Sequence, residues 1–401
     1  MKKRYIIILL SLVLIGLGIS CKPKNIHKAL IVTGQQDHNW KVSSSVLKQI
    51  IDNTGLFSTD ILISPEKGGD MNAFNPDFSA YKLVIIDYNG DSWSDKTKAE
   101  FIDFVKNGGG VVIYHGSSGS FPDWKEYNEI IGLGGGQSRN EKNGPFVYYL
   151  HNELTIDTAS GNAGSHGERH DFEVKIRITD HPVTKDLPAR WMHGSDDLYQ
   201  KLRGPGRNMQ MLATAYADTL FGGTGRDEPM LMAINYGKGR IFHTTMGHAD
   251  DDGGPALKCA GFIVTLQRGA EWAATGTVTQ DVPSDFPTAA GVILRSDYSE
   301  ITIEKTIENI RNYDINKSTR YFTYLQSQIR KAAGDDAKLL DIEKKMVGIL
   351  KEKDASSEGK KLILNELSWM GSDYCLASIK ELASNAELKD EVEYALARLQ
   401  Y

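Results

Sequence analysis

The sequence predicts an α/β protein whose parallel sheet is covered by helices on both faces, followed by a small all-helical domain. Two observations predict the sheet: short apolar runs of strand length without polar alternation, and amphipathic helical stretches between them. A third predicts the tail, because residues 301–401 keep helical periodicity and contain no strand-like run.

Ahead of the sheet, residues 1–20 read as an export signal. Lys2, Lys3 and Arg4 form a positive start, and Tyr5 to Ile19 is an uncharged, mostly apolar run. That run is about 15 residues, short of the roughly 20 that a permanent bilayer-spanning helix needs. Gly18 and Ser20 are small, and Cys21 follows directly. A cysteine at such a boundary resembles the lipobox of bacterial lipoproteins. The resemblance implies a lipid on Cys21, contact with a membrane through it, and a place in the cell envelope on the periplasmic or outer-membrane face. Cys259 and Cys375 are far apart and offer no disulfide framework, so both are expected as buried thiols. The net charge of -6 comes with no basic stripe, which leaves nucleic acid out of the expected partners. A chain of 401 residues exceeds one average domain and suggests two.

The elements follow in order. Lys28 to Thr33 reads as a buried strand, Val42 to Ile51 as a helix, and Thr59 to Ile63 as a second strand. Lys82 to Asp87 is a third strand, after which Ser94 suits an N-cap for a helix running to about Val105. Gly110 to Tyr114 is a fourth strand, and another helix is expected over 123–131. From Gly132 to about Tyr149 the chain reads as a long loop. Strands resume at 171–178, 209–216, 230–235 and 240–245, and a helix over 256–273 closes the domain of residues 26–275. Pro283, Pro287 and several Ser, Thr and Asp make 276–300 a candidate linker. The short helices of 301–401 resemble the last units of a HEAT-like repeat and carry no catalytic constellation.

Ligands of such sheets sit at the carboxyl ends of the strands. The first strand is followed by Gln35-Gln36-Asp37-His38-Asn39-Trp40, the fourth by His115-Gly116-Ser117. His38 and His115 should therefore reach one crevice. Imidazole transfers protons near neutral pH and is also a common metal ligand, while a histidine at a strand end can equally well do no more than bond loop backbone. His166 and His170 are spaced i, i+4, but the Gly and Arg between them suggest a loop. His181, before Pro182, is read as structural, as are His151, His193 and His243. The run Asp250 to Asp252 is read as a solvated turn. Trp40, Phe121, Trp124 and Tyr199 are candidate stacking aromatics, although packing is the commoner role.

Five segments carry a family resemblance: TGQQDHNW (33–40), GGGVVIYHGSSGSF (108–121), HGERHDFEVKIRITDHPVTKDLP (166–188), SDDLY (195–199) and YGKGRIFHTTMGHADDDG (236–253). In these the chain resembles the ThuA-like family, named for trehalose utilisation, over about 28–275. The resemblance implies a flavodoxin-like fold related to that of class I glutamine amidotransferases. Those relatives place a nucleophilic cysteine at the turn after the fourth strand; this chain has His115 there, with Ser117 two residues on, so a Cys-dependent glutaminase is not expected. Asp196, Asp197 and Tyr199 match the family's acidic D-E-L-Y segment, and His248 its G-H pair.

The expected catalytic group is therefore His38, His115, Asp196 and His248. Asp37, Trp40, Gly116, Ser117, Tyr199 and His170 are expected to contact substrate, and His166 to serve as a metal ligand. Such imidazoles with a carboxylate suit a divalent ion such as Zn. The expected function is an enzyme of carbohydrate utilisation, acting on a disaccharide or keto-sugar. The alternatives are a non-catalytic sugar-binding lipoprotein, or a scaffold that docks a protein partner through its helical tail.

Overall fold

In the computed structural model, residues 26–399 are described, apart from 137, 316 and 318. The export signal and Cys21 lie outside them. Among the described residues no helix is long and apolar enough to cross a membrane.

The sheet begins with β1 (His27–Thr33), α1 (Trp40–Asp52), β2 (Phe57–Ile63), β3 (Leu83–Ile86), α2 (Asp95–Lys106), β4 (Gly110–Tyr114) and α3 (Lys125–Ile131). A hairpin of β5 (Phe146–Leu150) and β6 (Glu153–Asp157) follows, then β7 (His170–Ile176), β8 (Arg190–Asp196), β9 (Met209–Tyr216), β10 (Asp227–Tyr236) and β11 (Gly239–Thr244). The main strand order is β2-β1-β3-β4-β11-β10-β9-β7-β8. β2, β1, β3, β4 and β11 run parallel.

The unbroken apolar runs follow from cover on both sides. In β1, Ala29 and Ile31 belong to one core and Leu30 and Val32 to the other. The first core holds Leu47 and Ile50 of α1 with Phe262 and Leu266 of the closing helix; the second holds Phe101 and Val105 of α2 with Tyr127 and Ile131 of α3. A strand with apolar residues on both faces cannot be placed at a solvated surface, and each fully buried Leu or Ile contributes roughly 1.5–3 kcal/mol.

Beyond β11 the sheet turns antiparallel through β10, β9, β7 and β8. The α/β class and the helical cover hold, while strand direction changes at β11. The reason is chain length: only Gly237 and Lys238 separate β10 from β11, and a parallel return needs a crossover of a dozen or more residues. The expected loop of 132–149 ends in β5 and carries a 3₁₀ turn at Glu141–Asn143. The closing helix is two pieces, α4 (Gly254–Lys258) and α5 (Ala260–Thr275), broken at Cys259.

Residues 276–300 form no helix, as a connector would, yet they pack on the sheet domain. Phe286 meets Trp191 edge-on with ring centroids 5.4 Å apart. Arg295 and Asp285 form a buried ion pair, and Asp285 also accepts the Ile301 N–H at 2.9 Å. Among the described residues six helices follow: α6 (Ile303–Arg311), α7 (Arg320–Lys331), α8 (Asp336–Lys351), α9 (Ser357–Met370), α10 (Asp373–Glu381) and α11 (Lys389–Leu399). They enclose their own core of Met346, Val347, Leu350, Ile363, Leu364, Leu367, Cys375 and Ile379. Cys259 and Cys375 are both buried free thiols.

Candidate functional site

The carboxyl ends of β1, β4 and β11 lie along one edge of the parallel strands, with β3 between β1 and β4, and the chain after each of the three delivers a histidine. His38 comes from the loop after β1, whose end is fixed by Asn39 capping α1 through Val42 N–H. His115 opens the turn after β4 at φ +40°, a left-handed conformation uncommon for a non-glycine residue. Such strain persists only where surroundings impose it, and here the His115 ring is held: Nδ1 bonds the Thr245 carbonyl at 2.7 Å. A carbonyl can only accept, so Nδ1 carries the proton and Nε2 presents its lone pair. That Nε2 is buried and has no hydrogen-bond partner among the described residues. Gly116 comes next, and a Cβ there would stand 2.7 Å from Gln36 Oε1 and 2.9 Å from His38 Cδ2, so any larger residue would push those side chains out of place.

His248 follows β11. Its ring Nδ1 lies 2.9 Å from Asp197 Oδ2, and its Nε2 lies 2.6 Å from Arg169 Nη2. The guanidinium only donates, so Nε2 accepts and Nδ1 donates to the carboxylate. Arg169 also reaches Asp197 Oδ1 through Nε at 2.8 Å and Asp250 through Nη1 at 2.7 Å. Tyr199 covers the group: its ring stacks on His115 with centroids 4.4 Å apart, and its hydroxyl lies 3.0 Å from His38 Nε2. Ring centroids are 4.7 Å apart for His38 and His115, 4.6 Å for His38 and His248, and 5.7 Å for His115 and His248.

Burial sets the charges. Desolvation, reinforced by the neighbouring His115 and His248, pulls His38 down to about 3, and desolvation likewise lowers His115. Both rings are therefore neutral lone-pair donors near neutral pH. Burial works against ionising Asp197, but the His248 hydrogen bond and the nearby imidazoles outweigh it and hold the carboxyl below its ordinary range. Burial keeps the Tyr199 hydroxyl protonated, with Asp197 and Asp196 adding to the effect.

Asp196 sits behind this cluster. One oxygen accepts the Gly247 N–H at 2.7 Å and pairs with His193 Nε2 at 2.8 Å; the other accepts the N–H groups of His248 at 3.0 Å and Asp197 at 2.7 Å. The pocket carboxylate is thus Asp197, and Asp196 clamps the turn that carries His248. Burial opposes its ionisation, yet the His193 bond wins and lowers it.

The remaining expected residues separate. Gly116 and Tyr199 join the cluster, and His166 stands at its edge, half exposed, with Nδ1 3.6 Å from Asp197 Oδ1. The described group with metal-holding geometry is His38, His115, Asp197 and His248, without His166. Asp37 accepts from Asn89 Nδ2 at 3.2 Å on an exposed rim. Trp40 begins α1 with Lys41 Nζ 5.6 Å from its ring. Ser117 is fully buried: its hydroxyl donates to Ile86 O at 2.7 Å and accepts Tyr88 N–H at 2.9 Å, so it ties β3 to β4 and offers no nucleophile. His170 lies flat on Phe221 at 3.9 Å and lines a different cavity of about 300 Å³. Phe121 and Trp124 are packed with Trp93 and Tyr127. No spacing in the sequence singles out Arg169; only its place inside the HGERHD segment points to it.

Comparison with known proteins agrees with this architecture. The ThuA family, described as trehalose utilisation, matches residues 28–273. A ThuA-like protein from Parabacteroides merdae ATCC 43184 is 50% identical; the match covers 69% of this chain and all of that one, with a TM-score of 0.67. A ThuA-like protein from Bacteroides uniformis ATCC 8492 is 17% identical over 66% of this chain and 97% of its own, with a TM-score of 0.43. Curated proteins give no match. The chain belongs to the ThuA family, the family of trehalose utilisation.

Proposed function

We propose that this chain is an exported, lipid-anchored enzyme of carbohydrate utilisation that moves a proton on a disaccharide or keto-sugar. The observation that carries the catalytic part is the convergence of His38, His115 and His248 on Asp197 at the carboxyl ends of parallel strands. Family membership supports the carbohydrate role, and the signal and Cys21 in the sequence support the anchor.

Asp197 and His248 form a carboxylate–imidazole pair in which the carboxylate fixes the tautomer and leaves Nε2 as the proton acceptor. Arg169 now donates to that nitrogen. Its side chain is 40% exposed, so a sugar hydroxyl can displace it, and the guanidinium then remains beside the oxygen that gains negative charge. Tyr199, kept protonated, supplies a hydroxyl next to His38.

The test is turnover on a panel of disaccharides and keto-sugars. His248→Ala and Asp197→Asn should each lower kcat by about 10²–10⁴-fold, the range for a lost acid–base group, with the melting curve retained. Wild-type protein inert on every sugar, or variants as active as wild type, would sink the reading. Mass spectrometry of membrane-fraction protein tests the anchor, which predicts an acylated Cys21 as the first residue.

A further inference from the structure

We propose that His38, His115 and Asp197 bind one first-row divalent metal ion, with His248 beside it as the base. The ion proposal deepens the reading above and rests on it for the ion's chemical purpose, whereas occupancy is measured without any sugar.

Donor atoms of His38, His115, Asp197 and His248 all lie within 4.8 Å of one another. Donors of a tetrahedral site with bonds of about 2.0–2.2 Å stand about 3.4 Å apart. Inward side-chain shifts of roughly 1 Å therefore complete the geometry. The existing contacts decide which of the four are ligands. His115 Nε2 is buried and has no hydrogen-bond partner among the described residues, with its lone pair free because Nδ1 bonds Thr245 O. Leaving such an atom unsatisfied costs about 1–3 kcal/mol, which a bound cation removes. A metal-ligating histidine whose other nitrogen donates to a carbonyl is the common supporting arrangement. His38 Nε2 meets the Tyr199 hydroxyl at 3.0 Å, a single contact between uncharged groups that an ion would replace. Asp197 brings the negative charge, and its two oxygens have lone pairs beyond those used by Arg169 and His248.

His248 differs. Both of its ring nitrogens are engaged, one with Asp197 and one with Arg169. Binding an ion would break one of these contacts, so His248 keeps its place as the base. Two imidazoles and a carboxylate suit Zn²⁺ and its first-row neighbours, and three protein ligands leave coordination positions for a water or a sugar oxygen.

The experiment uses the full chain, stripped with a chelator and titrated with ZnCl₂, with bound zinc measured by mass spectrometry and melting followed in parallel. Wild type should take up about one ion per chain and melt higher as zinc rises, by mass action. His115→Gln and Asp197→Asn should each weaken binding by at least about 100-fold, more than loss of an outer supporting group causes. His248→Asn and the exposed His151→Asn should still bind. Cobalt(II) in the wild type gives a second readout that needs no variant: a visible absorption spectrum of nitrogen and oxygen ligation should appear. No stoichiometric zinc in wild type, or zinc retained by both His115→Gln and Asp197→Asn, overturns the proposal. Loss of the ion in His248→Asn alone overturns the ligand assignment. Zinc bound without turnover of any sugar leaves the ion standing and removes the carbohydrate reading; turnover by a chain that binds no ion does the reverse.

Discussion

Asp196 and Asp197 are adjacent acids with opposite duties, and their environments separate them. Asp196 is fully buried and satisfies three backbone N–H groups and His193. Asp196→Asn would aim an amide N–H₂ at backbone donors and remove the negative charge that His193 pairs with in the interior. Breaking a buried pair in this way costs about 3–5 kcal/mol. Denaturant unfolding should show that loss, and adding His193→Leu should recover part of it, because the two positions couple. Asp87, at the end of β3, gives the pH signature. Burial pushes its carboxyl up to about 7, despite hydrogen bonds from Ser43 and Thr33 that lower it. Between about pH 4 and 7 the native state then holds a proton that the unfolded chain releases. Stability should fall as pH rises through that window, by about 4 kcal/mol at most. Asp87→Asn should flatten this slope in melts taken from pH 4 to 8; a slope unchanged by the substitution would refute the assignment.

At the scale of the element, sheet strands covered on both faces are legible as continuous apolar runs, and their carboxyl ends point to His38, His115 and His248, which lie close together in the structure. The strand β8 was not legible. Its sequence, RWMHGSD, mixes Gly194, His193 and Ser195 among its apolar residues, and it lies at the sheet's edge beside β7. Without a strand there, the period of two could not say which of Asp196 and Asp197 faces the crevice. Arg169 escaped for a related reason: it precedes β7 in irregular chain, where spacing carries no direction. The β10–β11 hairpin shows the opposite case, a short signal with a firm consequence. Gly237 has φ +59°, and a Cβ there would stand 2.8 Å from Lys106 Cα. Gly237→Ala should therefore cost at least about 1 kcal/mol from the left-handed conformation alone, with more from the backbone contact. Urea midpoints compare the two proteins directly, and an equal midpoint would argue that the hairpin bends some other way.

On the scale of the whole molecule, the contacts of 276–300 predict that the boundary that matters for folding lies near residue 300. The composition of 276–300 is that of a connector, because its prolines interrupt both helix and strand and its Ser and Asp favour turns, but composition does not register burial contributed by a few side chains. Phe286 covers Trp191, Ala260 N–H bonds Ile293 O at 2.8 Å, and the Arg295–Asp285 pair closes the segment against the sheet domain. The helical tail touches this same segment, through Ser284 Oγ and Tyr324 hydroxyl at 2.7 Å and through Lys331 on the Ser284 carbonyl. A chain ending at 275 exposes Trp191 and loses Phe286, a change comparable to emptying an aromatic site at about 3–5 kcal/mol. A chain ending at 302 keeps every one of those contacts except the tail's. Residues 26–302 should therefore unfold in one cooperative transition close to that of the sheet domain in the full chain. Residues 26–275 should melt well below it and bind a hydrophobic dye. Equal melting of the two truncated chains would mean that 276–300 only decorates the surface. The His38, His115 and His248 cluster would then depend on the sheet alone, which β1, β4 and β11 already bring together.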